Sequence, residues 1–175
     1  YSCPDMSQAD QAFRPLRAAQ FAGMWSHVLR TKRDLLKPEV VWNIEQGLNL
    51  SSSDISEAGF RRNKIRLNLL EYLEINDFLL LPATPVVANA AEDRFVKEID
   101  GVQMKDYLEW LLLGYTISLT GCPAISIPCG FSREGLPVGV QVVARPYQEK
   151  KLLRLAAWLE NVFGCGIKIP IDPNS

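Results

Sequence analysis

The feature that most restricts what this chain can fold into is the run from Gly114 to Pro146, GYTISLTGCPAISIPCGFSREGLPVGVQVVARP. Gly121 and Pro123 stop one element. Ala124 to Pro128 reads as a short buried strand, because alternating branched residues favour a pleated, half-buried surface. Gly130 and the Arg133–Pro137 loop turn the chain, and Pro137 to Ala144 reads as a second strand. A strand pair of this kind needs a sheet around it. It carries no catalytic motif of its own.

The rest of the chain supplies helices. The apolar positions Phe21, Met24, Trp25, Val28 and Leu29 recur at the spacing of one helical face, with Pro15 at a first helical position and His27 off the stripe. Glu39 to Gln46 reads as a short helix stopped by Gly47. Asp54 and Glu57 have the form of a capping box that opens a helix to about Asn76. Its buried face is Ile65, Leu69, Tyr72 and Leu73, with Arg61, Arg62, Lys64 and Arg66 mostly solvated. Asp77 to Leu81 reads as a buried strand ended by Pro82, and Asp100-Gly101 marks a turn. Gln103 to Leu119 reads as a strongly apolar helix. Leu152, Leu155, Ala156, Leu159 and Phe163 give an amphipathic helix from Gln148, closed by Gly164. The sum is an α/β layered architecture, a sheet flanked by helices. We expect a single domain or sub-domain, mainly helical over 1–76, with strands and helices of the sheet layer over 77–163 and a tail over 164–175.

Composition narrows the function classes. The chain has 175 residues, is 47% hydrophobic and 22% charged, and carries a net charge of −1. With no basic stripe, general nucleic-acid binding is not expected. No apolar run is long enough to span a bilayer. Four cysteines and one histidine, with no C-x-x-C pair, leave a zinc site short of ligands. The thiols read as reduced and cytosolic. Beginning at Tyr1 without a signal peptide, the chain is expected to be the C-terminal piece of a longer protein. No G-x-S-x-G elbow, P-loop or G-x-G-x-x-G is present. Ser51 to Ser53 read as a helix start, and Ser126 as a strand residue. Cys122 and Cys129 lack an evident base.

The run Thr120 to Gly130, followed by Gly135-Leu136-Pro137-Val138-Gly139-Val140-Gln141, resembles the C-terminal hallmark of the amidase signature family. So do the Pro82-Ala83-Thr84-Pro85 turn, the stretch Pro38 to Gly47, and the helix from Glu149 to Glu160. The resemblance extends from about Phe13 to about Phe163. It implies an α/β/α fold around a large mixed sheet, and hydrolysis of amides by a serine nucleophile, a second serine in a cis peptide and a lysine base, with no metal or organic cofactor. Those catalytic residues have no counterpart here, so catalytic residues within this chain are expected to be none and the chain alone is expected to be inactive. The partners implied are a small-molecule amide and the N-terminal half of the same enzyme, with homo-oligomers as a further possibility.

The resemblance also places a pocket wall. Leu108, Leu111 and Tyr115 fall on the face that relatives turn toward the acyl group, and plain core packing is the rival reading. The subfamily that takes glutamine within glutamyl-tRNA amidotransferase holds its substrate with an acid at the place of Leu111 and an arginine at the place of Trp42 or Asn43. Leu111 and Trp42 therefore favour a small, largely uncharged amide over a zwitterion, whose charges would be desolvated without partners. The amidotransferase A subunit and a non-catalytic truncated relative are the alternatives.

Overall fold

The computed structural model describes residues 3–164. Its chain falls into two compact units. One takes the residues up to Tyr72 together with Ser118–Thr120, and the other takes Leu73–Ile117 and the described residues from Gly121 onward.

The first unit is helical. Helix α1 spans Ala9–Lys32, α2 spans Pro38–Leu48, and α3 spans Ser52–Ile75, whose last residues run into the second unit. Helix α1 begins earlier than its proline suggests, and Pro15 lies inside it. The turns ahead of Pro15 are anchored by the buried Ala9 and Ala12. The expected apolar stripe is covered only in part, with Phe21, Val28 and Leu29 half-buried. Met24 is 54% exposed and Trp25 42%, whereas Ala18 and Ala22 are buried. The reason is the neighbour. Helix α2 crosses α1 so closely that a Cβ added at Gly47 would sit 1.9 Å from the Ala18 carbonyl oxygen and 2.8 Å from the Ala22 Cβ. Such an approach selects small side chains over large ones. Gly47 accordingly lies within α2 as a packing residue, and the helix ends one residue later.

Helix α3 is capped by a box shifted from the expected pair. The Ser51 N–H and hydroxyl donate to Asp54 Oδ2 at 2.8 and 2.7 Å, and the Asp54 N–H donates to Ser51 Oγ at 3.2 Å. Glu57 pairs instead with Arg61, one turn on. Ser51→Ala removes the acceptor of a helix N-terminal N–H and is expected to lower stability by about 1 kcal/mol, measured as a shift in urea midpoint. The hydrogen bonds from Ser51 hold the Asp54 carboxyl below its ordinary value. A depressed folded-state value means that the contribution of Asp54 is complete above its unfolded value and is lost as pH falls through the folded one.

The second unit holds the sheet. Strand β1 covers Leu79–Pro82, β2 Glu98–Ile99 and β3 Val102–Gln103. A 3-10 turn at Glu109–Leu111 leads into α4, Leu112–Thr120. Strands β4, Ala124–Phe131, and β5, Pro137–Val143, precede α5, Glu149–Phe163. The α/β reading holds. The described strands pair antiparallel, in the order β1-β5-β4, with β2-β3 as a separate hairpin. That hairpin turns at Asp100 and Gly101, with φ of 48° and 79°, the left-handed pair that a two-residue hairpin loop demands. The ladder between β4 and β5 slips at Cys129, between Pro128 and Gly130, as a bulge.

The helix expected over 103–119 starts only at Leu112. Gln103 is committed to the hairpin. Asp106 Oδ1 then accepts the N–H groups of Leu108 and Glu109 at 2.9 and 3.3 Å, which favours a local turn over a continuing helix. Helix α5 packs on the sheet through a core of Ile127, Val142, Ala144, Leu152, Ala156 and Leu159, with Phe78, Ile125, Val140 and Leu155 at its margin. Phe163, expected on that face, is 39% exposed. The strand β1 is less buried than expected, with Leu80 52% exposed, because it is an edge of the described sheet.

Candidate functional site

The turn at Pro82–Pro85 and the Gly121–Gln141 block meet at one glycine. The Ala83 N–H donates to the Gly139 carbonyl at 3.0 Å. A Cβ at Gly139 would lie 3.2 Å from both the Ala83 Cβ and the Ser126 Oγ, tighter than ordinary contact, so a side chain there would push the turn off the sheet. Thr84 secures the turn by donating from Oγ1 to the Val86 carbonyl at 2.7 Å. Ser126 stands opposite Gln141 in the ladder. These residues form a rigid strand-end scaffold. Its serine and threonine lie in strand and turn, and no histidine is near them in sequence, since His27 lies on α1 with its side chain exposed.

The last turn of α4 is held by two arginines. Arg62 Nε donates to the Leu119 carbonyl at 3.0 Å, and Arg66 Nη1 donates to the Thr120 carbonyl. Thr120 is fully buried. Cations suit this end of a helix, where carbonyls lack intrahelical partners and the macrodipole is negative. Arg62 stays exposed, in keeping with the expectation that these arginines are mostly solvated, while Arg66 is half-buried; the carbonyl acceptors of both are the part that was not expected. Gly121 follows with φ of 64° and closes α4 in the left-handed form.

The residues expected to wall a pocket separate by exposure. Leu108 is 1% exposed and Tyr115 5%, while Leu111 is 36% exposed. Leu108 precedes the 3-10 turn, Leu111 ends it, and Tyr115 lies on α4. They therefore do not share one regular helical face. Trp42, on α2 in the helical unit, is 37% exposed.

The carboxyls of Asp5, Asp54 and Glu134 are each held low, first of all by hydrogen bonds involving Ser7, Ser51 and Ser132 respectively. All three are surface groups of turns and caps. Among the described residues no group of three or more His, Cys, Asp and Glu is placed to hold a metal ion. Among them, too, no helix is long and apolar enough to cross a membrane.

Sequence reasoning missed Gly47, Arg62 and Arg66. A glycine flanked on both sides by good helix formers was the available signal for Gly47. The arginines carried none, because their acceptors lie 57 and 54 residues away.

Comparison with known proteins agrees with the scaffold. The family model described as Amidase matches residues 2–153. The chain is 34% identical over 161 residues to the A subunit of glutamyl-tRNA(Gln) amidotransferase from Alkaliphilus metalliredigens (strain QYMF), covering 88% of this chain and 31% of that protein. The second A-type glutamyl-tRNA(Gln) amidotransferase chain of Clostridium acetobutylicum is 33% identical over 151 residues, covering 82% and 30%. A crystal structure of an amidase superposes with a TM-score of 0.81 at 28% identity, over 90% of this chain and 36% of that one. A bacterial aryl acylamidase of the amidase signature family shares the fold, with a TM-score of 0.78 at 18% identity. The chain thus spans about a third of the length of the relatives it matches. With the family model covering most of its length and the strand-end scaffold intact, the chain belongs to the amidase signature family.

Proposed function

We propose that this chain forms the acyl-side wall and C-terminal scaffold of an amidase that hydrolyses a small, largely uncharged amide. The nucleophile, bridging serine and lysine base that the family resemblance implies come from protein outside these 175 residues. The observation that carries the reading is Leu111. It stands at the entrance to α4 with about a third of its surface exposed, between the buried Leu108 and Tyr115. It offers apolar area to a ligand while its neighbours hold the backbone in place. Trp42 offers an aromatic surface in the helical unit. Neither side chain can neutralise a charged substrate end, and an uncharged amide avoids the cost of leaving one desolvated.

A second reading, the glutamine-using component of an amidotransferase, is favoured by the 34% identity to an amidotransferase A subunit. The substrate separates the two. In the longer protein that contains this chain, kcat/KM for a short aliphatic or aromatic amide is expected to exceed that for glutamine. The opposite order would establish the amidotransferase reading. Leu111→Asp is expected to lower kcat/KM for the apolar amide by about tenfold or more, and unchanged kinetics would remove Leu111 from the pocket.

A further inference from the structure

Gly114 lies in the first turn of α4, where the described fold gives no reason for a glycine. Its backbone is helical, so no left-handed turn requires it. Nor does a neighbour crowd it. A Cβ built there meets nothing within 4 Å, unlike Gly47 and Gly139, whose places are fixed by close approach. Glycine is also the poorest helix former after proline, because its backbone loses the most freedom on ordering. What the residue supplies is open space on the exposed side of α4, three positions beyond Leu111. We propose that Gly114 is a specificity-determining residue, whose missing side chain makes room for the hydrocarbon part of the amide's acyl group beside Leu111.

Placement carries the inference. The Leu111 N–H donates to the Leu108 carbonyl at 2.9 Å, closing the turn that feeds α4. Residues three apart on a helix surface are neighbours, so Gly114 follows Leu111 along one side. Both are exposed, whereas Leu108 and Tyr115 are buried and hold the backbone in place. The exposed strip therefore runs from an apolar side chain onto bare backbone. Leucine offers a surface to hydrocarbon, and the glycine beside it leaves that surface without a rim. Each methylene moved from water onto apolar surface adds to binding, so the longer acyl group gains most from the open position. A methyl at position 114 would stand in its path, and a branched side chain more so. Any bond that Gly114 makes is made by its backbone, and a substitution leaves that backbone in place.

The inference rests on the reading of Leu111 as a residue that faces the substrate, and the experiment separates the two. In the longer protein that contains this chain, kcat/KM is measured for acetamide and hexanamide. The ratio of hexanamide to acetamide is expected to fall from glycine through Gly114→Ala to Gly114→Val, by about tenfold or more at valine, the discrimination that a methylene of room gives in a hydrophobic pocket. Gly23→Ala, at an equally open helical glycine on α1, is expected to leave the ratio unchanged. The urea midpoint of Gly114→Ala is expected to hold or rise, since alanine favours the helix. An unchanged ratio in both Gly114 variants, with Leu111→Asp still lowering hexanamide turnover, would overturn the role of Gly114 and leave the pocket wall standing. Unchanged kinetics in Leu111→Asp as well, or turnover of neither amide, would overturn both. An equal loss for the two amides, or a lower urea midpoint in Gly114→Ala, would overturn the role of Gly114, since either marks a glycine that packing requires.

Discussion

Gly47→Ala is expected to destabilise the helical unit by about 3 kcal/mol, the upper part of the usual range for overpacking. The added methyl carbon would lie 1.9 Å from the Ala18 carbonyl oxygen and 2.5 Å from the carbonyl carbon. Both are backbone atoms in the middle of α1, so no side-chain rotation relieves the clash. The helices must separate, and that strips contacts from Ala18, Ala22 and the fully buried Ile44 of α2. The control is Gly23→Ala. Gly23 also lies inside a helix, but a Cβ there meets nothing within 4 Å. Alanine is the better helix former by nearly 1 kcal/mol, so this variant is expected to gain stability by about 0.5–1 kcal/mol. Urea unfolding of both variants checks the prediction through its sign reversal. Equal effects would mean that the α1–α2 approach is looser than described.

The second large effect is expected at Arg66. Its guanidinium donates to the carbonyl of Thr120, a residue with no exposed surface. Arg66→Met keeps most of the aliphatic length and removes the donor. The carbonyl is then left without its charged partner, at an expected cost of about 2–3 kcal/mol. Arg66→Lys keeps the charge but loses the planar fork and is expected to recover only part of that loss. Hydrogen exchange is the discriminating readout. Amides in the last turn of α4 are expected to lose protection in Arg66→Met, and amides of α5 to keep theirs. Loss of protection throughout would indicate a general fold defect instead.

Much of the architecture was legible from neighbouring residues. The β4–β5 pair, the Asp100-Gly101 turn and the amphipathic α5 all rest on interactions within a few positions: φ preferences of glycine and proline, alternation, and helical periodicity. These act whatever surrounds them. The family could be recognised for the same reason, since its hallmark residues are the ones that turn and flatten this backbone.

The remainder was decided by what packs where. The large stripe of α1 and its small alanine stripe have equal claims to the interior by periodicity; the close crossing at Gly47 chose the alanines. The long apolar run before the signature block looked like one helix, yet the β2–β3 hairpin and the Asp106 hydrogen bonds took its first half. That displacement parted Leu111 from Leu108 and Tyr115 in exposure. Arg62 and Arg66 acquired their roles from carbonyls 57 and 54 residues away. Local chemistry chose the elements of this chain. Distances of approach between remote segments chose which residues are packing, which are caps and which remain exposed.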